Sequence, residues 1–266
     1  MLASNYRPIS LLPIISKIFE KIIFKRLSEF VQHYNILYNK QYGFQTGKST
    51  EHAIIDIHQK ILNSLDKREH PCCVFLDFAK AFDTVDHTIL TNKLAHYGIR
   101  GNTLQLIKSY LTEREQMVQI GDSSSKMAQI THGVPQGSIL GPLLFILYIN
   151  DIANASPCLT FYLFADDTTI FHSDSNIKTL ESTLNRELVK VSQWLIANKL
   201  SLNIKKSNVL LFRNKNDTNK AKICITLNGQ DIEEKASAKY LGMILDNKLT
   251  FEKHTQHVQS NLSRVM

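Results

Sequence analysis

Three acids in this chain stand where a solvated acid should not. Asp77 sits in the apolar run CCVFLDF (72–78), and Asp166 and Asp167 fall between the β-prone segments LTFYLFA and TTIF. An ionised carboxylate at the end of a buried strand is costly unless a cation or hydrogen bonds compensate it. Successive strand side chains point to opposite faces, so Asp166 and Asp167 can approach one site only near a bend. The spacing therefore predicts a tight hairpin, 159–165 with 168–171, carrying both acids at its turn. Three carboxylates on neighbouring strand ends form a hard, all-oxygen ligand set, better suited to Mg²⁺ than to zinc. Such a set can hold two ions about 3.5–4 Å apart. These residues point to metal-dependent phosphoryl chemistry and leave nuclease, phosphatase and polymerase equally open.

The rest of the chain can support such a site. Its 266 residues are 43% hydrophobic and 21% charged, a globular composition long enough to bury a substantial core. Apolar residues at Ile14, Ile15, Ile18, Phe19, Ile22, Ile23, Leu27, Phe30 and Val31 predict an amphipathic helix over 14–31. A second helix starts after Ser49 or Thr50, either of which can cap it. Residues 72–78 read as a buried strand, 117–120 and 126–130 as a hairpin around GDSSS, and the apolar stretch from Ser138 as a helix. Further on, 176–200 reads as a helix, with short strands near 207–213, 223–227 and 239–245 and a polar loop over 213–222. GKST (47–50) lacks the glycine spacing of a P-loop, which excludes that class of nucleotide hydrolase.

The formal charge is +7, unevenly spread. Residues 1–177 carry 16 Lys/Arg against 16 Asp/Glu, whereas 178–266 carry 15 against 8. A basic C-terminal part suits a phosphate-rich partner or a solvated face. Cys72, Cys73, Cys158 and Cys224 show neither zinc spacing nor a disulfide framework and read as buried small residues of a reducing compartment. The longest apolar run, 140–149, is too short to span a bilayer, so the chain is expected to be intracellular with no membrane partner.

The order of the segments is more specific than any one of them. VFLDFAKAFDTVDH around Asp77, GVPQGSILGPLLF from Gly133 and YLFADDTTI around Asp166 resemble motifs A, B and C of reverse transcriptases. NYRPISLLP, QYGFQTGKST, LNIKKSNVLLF and KYLGMILD resemble the fingers elements, motif D and the primer grip of the same family. RPISLL, the AFD after motif A and FADD are closest to non-LTR elements of the LINE and Jockey kind.

The resemblance implies an α+β right-hand polymerase fold, with fingers and palm, an antiparallel sheet and a partial thumb. The divisions it implies are 1–70 for fingers, 71–175 for palm with motifs A, B and C, 176–248 for the rest of the palm with motif D and primer grip, and 249–266 for the start of a truncated thumb. It implies an RNA-directed DNA polymerase that adds deoxynucleotides to a DNA primer on an RNA template, with two Mg²⁺ held by Asp77, Asp166, Asp167 and the backbone carbonyl of Phe78. Phe82 would exclude a ribose 2′-hydroxyl; Gln136, Gly137, Arg7 and Lys48 would line the nucleotide site. Lys206 would give a proton to pyrophosphate, and Tyr240, Leu241 and Gly242 would form the turn that steadies the primer. Asp83, Asp86 and His87 would serve packing and capping on the helix after motif A. Gln45 replaces the arginine that follows GF in many relatives, and KKSN stands where SKT is usual. An upstream endonuclease would accompany the intact element. A catalytically inactive, truncated or co-opted nucleic-acid-binding remnant is the alternative.

Overall fold

The structure, a computed structural model, describes residues 9–214 and 221–263. In chain order the elements are α1 (Ile14–His33), α2 (Thr50–Asp66), β1 (His70–Leu76), α3 (His87–His96), α4 (Gly101–Leu111), β2 (Arg114–Gln116), β3 (Gln119–Ile120), β4 (Ser123–Ser124), β5 (Ala128–Ile130), α5 (Leu140–Ile149), β6 (Thr160–Phe164) and β7 (Asp167–Asp174). They continue with α6 (Ile177–Ala197), β8 (Asn208–Leu211), β9 (Ile225–Leu227), β10 (Gln230–Glu234), β11 (Ser237–Tyr240), β12 (Met243–Asp246) and α7 (Glu252–Leu262). The mixture is α+β, as expected. Two compact units divide it.

One unit holds Lys40–Ala79, Ile152–Ile196 and the chain from Ser201 onward. Its centre is a six-stranded sheet ordered β6-β7-β1-β8-β10-β9, antiparallel except for the parallel β8/β10 pair. Every β1 residue after His70 is buried, so the strand is apolar on both faces and its sequence runs continuously hydrophobic rather than alternating. Ile57 and Ile61 of α2 pack with Cys73, Phe75, Phe171, Leu210 and Tyr240 in one cluster. Ser49 caps α2 by accepting the His52 N–H. The hairpins β9/β10 and β11/β12 close through two-residue turns, Asn228–Gly229 (φ 53° and 72°) and Leu241–Gly242 (φ 46° and 92°). Positive φ at both central residues is the type I′ geometry that matches strand twist.

The Glu187 carboxylate of α6 is almost fully enclosed and accepts from Lys190 Nζ (2.7 Å), Ser156 Oγ (2.8 Å) and Arg186 Nε (3.0 Å). These donors, Lys190 foremost, bring the carboxyl down to about 2.

The other unit comprises the described residues up to Asn39, Lys80–Asp151 and Ala197–Leu200. Its core is α5, apolar all round and buried at every position but Pro142. At the start of α5 the Ser138 hydroxyl accepts the Gly141 N–H (2.9 Å), but the two N–H groups before it, of Ile139 and Leu140, find no acceptor within the segment. Glu20 of α1 supplies it from a distance: its buried carboxylate accepts the N–H groups of Ile139 (2.7 Å) and Leu140 (3.2 Å). An anion at a helix N-terminus satisfies orphan donors and complements the dipole. Asp86 caps α3 through the Ile89 N–H, and His87 Nε2 meets the Gly133 carbonyl, in keeping with the capping and packing expected of them.

Three sequence expectations need correction. In α1 the buried residues are Glu20, Leu27 and Val31, while Ile14, Ile15, Ile18, Phe19 and Ile22 are more than half exposed. The inward-facing position of the first half is taken by the capping Glu20, which turns the apolar stripe outward. Cys72 and Cys73 are buried in β1, but Cys158 and Cys224 lie in exposed connections beside β6 and β9. The single strand read near 239–245 is the β11/β12 hairpin, and β10 was not anticipated. The polar loop over 213–222 lies partly outside the described residues.

Glu20→Ala should lower stability by about 1–3 kcal/mol, since two enclosed N–H groups lose their acceptor, while Glu20→Gln should lose less; urea midpoints at constant m-value test this. The depressed Glu187 carboxyl stabilises the fold fully above its unfolded value near 4.5, and that contribution disappears as pH falls toward 2. Acid titrations of stability should therefore show a shallower fall over this window in Glu187→Gln than in the parent.

Candidate active site

Register brings the acids together. In the β1/β7 pair Leu76 lies opposite Thr168, so the next residues outward are Asp77 on one strand and Asp167 on the other. Phe164 pairs with Asp167 across the β6/β7 turn, leaving Ala165 and Asp166 as its two residues. Asp166 thus stands in the expected bend with Asp167 opening β7, and Asp77 follows the end of β1; Asp77 and Asp166 are half-buried and Asp167 exposed. Asp77 and Asp167 line one cleft together with Lys206, Asn208, Lys239, Tyr240, Leu241 and Gly242. Phe78, buried beside Asp77, is bridged to Leu202.

The segment before β8 holds the backbone of Asp77 from behind. The Asp77 N–H donates to Ser207 Oγ (3.2 Å), its carbonyl accepts the Asn203 N–H (2.8 Å), and Ala79 N–H donates to the Ser201 carbonyl (2.8 Å). Ser207 Oγ donates in turn to the Asn203 carbonyl at 3.1 Å. Asn203 and Ser207 were not singled out from the sequence as positioning groups, because nothing local distinguishes a serine that reaches a strand 130 residues away.

The 40–48 segment holds the other acids. Leu163 of β6 exchanges hydrogen bonds with it, donating to the Lys40 carbonyl (3.0 Å) and accepting from the Tyr42 N–H (2.7 Å). Gly43 lies so close to the turn that a Cβ there would sit 2.4 Å from the Ala165 nitrogen and 2.9 Å from the Phe164 carbonyl carbon. Ala165 itself is left-handed (φ 53°), a conformation costing an L-residue about 1–2 kcal/mol. Lys48 Nζ donates to the Gln41 carbonyl (2.8 Å) and lies over the Tyr42 ring; burial first, then the Lys40 charge, lowers its basicity.

Tyr240 is enclosed, with no hydrogen-bond partner for its hydroxyl among the described residues, and burial pushes its phenol far up. Its ring packs on Phe75 at 5.8 Å, anchoring the Leu241–Gly242 turn to β1.

The remaining predicted residues belong to the unit built around α5. There Phe82 stacks on the buried Phe145 ring at 4.4 Å, and Gln136 Nε2 donates to Asp83 Oδ1 (2.8 Å). Gly137 is exposed, and the neighbouring Gln136 carbonyl accepts the Ser10 N–H. Arg7 lies outside the described residues. Among the described residues no group of three or more His, Cys, Asp or Glu side chains is closed up as a metal centre. The donor set still fits Mg²⁺, which is commonly held by one or two carboxylates plus substrate phosphates rather than by an all-protein cage. No helix among the described residues is long and apolar enough to cross a membrane.

Comparison with known proteins places these features in a family. The family described as "Reverse transcriptase (RNA-dependent DNA polymerase)" matches residues 3–245. The "Probable RNA-directed DNA polymerase from transposon X-element" of Drosophila melanogaster is 32% identical over 265 residues, covering 97% of this chain and 28% of that protein. The "RNA-directed DNA polymerase from mobile element jockey" of the same organism is 30% identical over 262 residues, covering 96% and 28%. The chain therefore spans little more than a quarter of the length of these relatives. Among solved structures, apo telomerase from Candida tropicalis superposes with a TM-score of 0.55 at 12% identity, covering 90% of this chain and 40% of that one. Telomerase from Candida albicans with a telomeric RNA fragment gives 0.52 at 13% identity, covering 88% and 37%. At such identities the likeness is one of fold.

Gly43→Ala should destabilise the chain by about 1–3 kcal/mol, because the obstructing atoms are backbone and cannot swing aside. Thermal melting measures the loss, and Gly47→Ala, with no atom near its Cβ position but a left-handed φ of 79°, serves as the strained but unobstructed comparison.

Proposed function

We propose, since this chain belongs to the reverse transcriptase (RNA-dependent DNA polymerase) family and its relatives are polymerases of non-LTR retrotransposons, that it is an RNA-directed DNA polymerase core. Its fold is that of the right-hand polymerases. The observation that carries the reading is the convergence of Asp77 and Asp167 on a cleft that also holds Lys206 and the Tyr240–Gly242 turn. A nuclease or phosphatase needs the acids alone; a polymerase also needs to hold a primer end beside them.

In this reading residues 71–175 and 176–248 form the palm, 1–70 contribute the fingers, and 249–266 begin the thumb. The primer rests against Tyr240, Leu241 and Gly242, with its 3′-hydroxyl directed at the α-phosphate of a deoxynucleoside triphosphate paired to an RNA template. Asp77, Asp166, Asp167 and the Phe78 carbonyl would hold two Mg²⁺. Bound magnesium supplies charge neutralisation at the attacking and leaving oxygens. Lys206 delivers a proton to the departing pyrophosphate, as a general acid. Phe82, backed by Phe145, blocks a 2′-hydroxyl, and Gln136, tethered to Asp83, lies beside the incoming nucleotide with Gly137. Arg7 and Lys48 complete the triphosphate contacts, Lys48 by giving up its bond to the Gln41 carbonyl. The basic C-terminal part grips the duplex through its phosphates, which makes binding salt-dependent.

The purified chain should extend a primer on an RNA template with Mg²⁺ and deoxynucleotides, and the double substitution Asp166→Ala, Asp167→Ala should reduce extension to background. Product no greater than that control would leave a nucleic-acid-binding remnant as the reading. Replacing Phe82 by Val should raise ribonucleotide incorporation relative to deoxynucleotide; an unchanged ratio would remove Phe82 as the gate.

A further inference from the structure

We propose that Gln41 is a positioning residue for the Asp166–Asp167 turn, acting through a buried hydrogen bond to the Ala165 amide. The inference deepens the polymerase reading and rests on it for the meaning of the turn, but the bond itself is independent of catalysis.

Gln41 is fully buried, which is unusual for a glutamine. Its side-chain oxygen accepts two backbone N–H groups, that of Gly43 (2.9 Å) and that of Ala165 (3.2 Å). Because both neighbours are donors, the atom facing them must be Oε1 rather than Nε2. The amide nitrogen at the other end has no hydrogen-bond partner among the described residues. An enclosed glutamine that leaves one end unpaired is a poor choice for packing, since a leucine or methionine would fill the volume without that penalty. What only an acceptor can supply is the capture of the two N–H groups.

The captured amide is in the most constrained place of the turn. Ala165 has φ 53°, a region an alanine leaves unless its surroundings hold it. It directly precedes Asp166, and one peptide further the chain enters β7 at Asp167. Rotating Ala165 back to a negative φ would re-aim the Asp166 carboxylate. Three contacts oppose that rotation: the Gln41 bond, the Gly43 backbone pressed on the turn, and the bridge of Gln41 to Leu163. Gln41 is itself fixed by a donor on its carbonyl, Gln45 Nε2 (2.5 Å), joined by Lys48 Nζ (2.8 Å) while no nucleotide draws that lysine away. The QYGFQTGK segment is therefore a strap whose buried end sets the geometry of the acids.

Backbone hydrogen exchange on the isotope-labelled, complete chain tests the proposal without substrate. Gln41→Met, similar in volume but without an acceptor, should speed exchange at the Ala165 amide about tenfold while Phe161 and Ile170 in the flanking strands keep their rates. Gln41→Glu, which retains an acceptor oxygen, should keep Ala165 protected. In primer extension the methionine variant should lose kcat at least about tenfold with little change in KM for deoxynucleotide. Unchanged Ala165 exchange in Gln41→Met overturns the proposal, as does acceleration shared equally by Phe161 and Ile170, which would mark a general loosening. Normal kcat despite faster Ala165 exchange also overturns it. Should the parent chain not extend a primer, the polymerase reading fails, while the exchange rates still decide whether Gln41 holds the turn.

Discussion

The antiparallel pairing of β1 with β7 determines where two of the acids stand, because Leu76 opposite Thr168 leaves Asp77 and Asp167 as the next residues outward. A slip of one residue would send every β1 side chain to the other face of the sheet and take Asp77 out of line with Asp167. Both faces of β1 are enclosed, so its register is selected by how each side chain packs against its neighbours rather than by an apolar–polar alternation. The cleft depends on this pairing more than on any bond made by the acids themselves, and each neighbouring segment reinforces it. The 201–207 segment holds the Asp77 backbone, and the Leu241–Gly242 turn is anchored through Tyr240 to Phe75.

Two acids are better prepared by the protein than the third. Asp77 and Asp167 share a cleft, whereas Asp166 depends on the conformation of a two-residue turn. The strain at Ala165 is held by its surroundings rather than by its own side chain.

Much of this was legible in the sequence because the signals are local. Apolar periodicity located α1 and α2, a continuous apolar run located α5, and the interruption of apolar strands by acids located the bend. What escaped was non-local or concealed by residue type. Glu20 reads as an ordinary helix-surface acid until α5 arrives with two N–H groups to satisfy. The stripe of isoleucines in α1 has a helical period, but period says only that a face is apolar, not that anything covers it. Gln41 carries no sign of burial, since a glutamine in a polar, glycine-bearing segment usually points to water. β10 was a different kind of miss: Asn228–Gly229 is a strong hairpin signal, but the strand after it, QDIEE, has only one buried apolar residue.

The central place of β1 also governs how the molecule comes into being. A strand of the sequence PCCVFL is synthesised before either of its partners, which are drawn from chain ending at Asp174 and at Leu211. Until those segments leave the ribosome the strand has both edges open and both apolar faces uncovered, the state most prone to pairing with another nascent chain. Local helices such as α2 can form meanwhile, but the sheet can close only after loops of great length have been brought together, which places it among slow-folding topologies. The same burial that gives the acids their fixed register thus leaves the strand open to mispairing until its partners have been made.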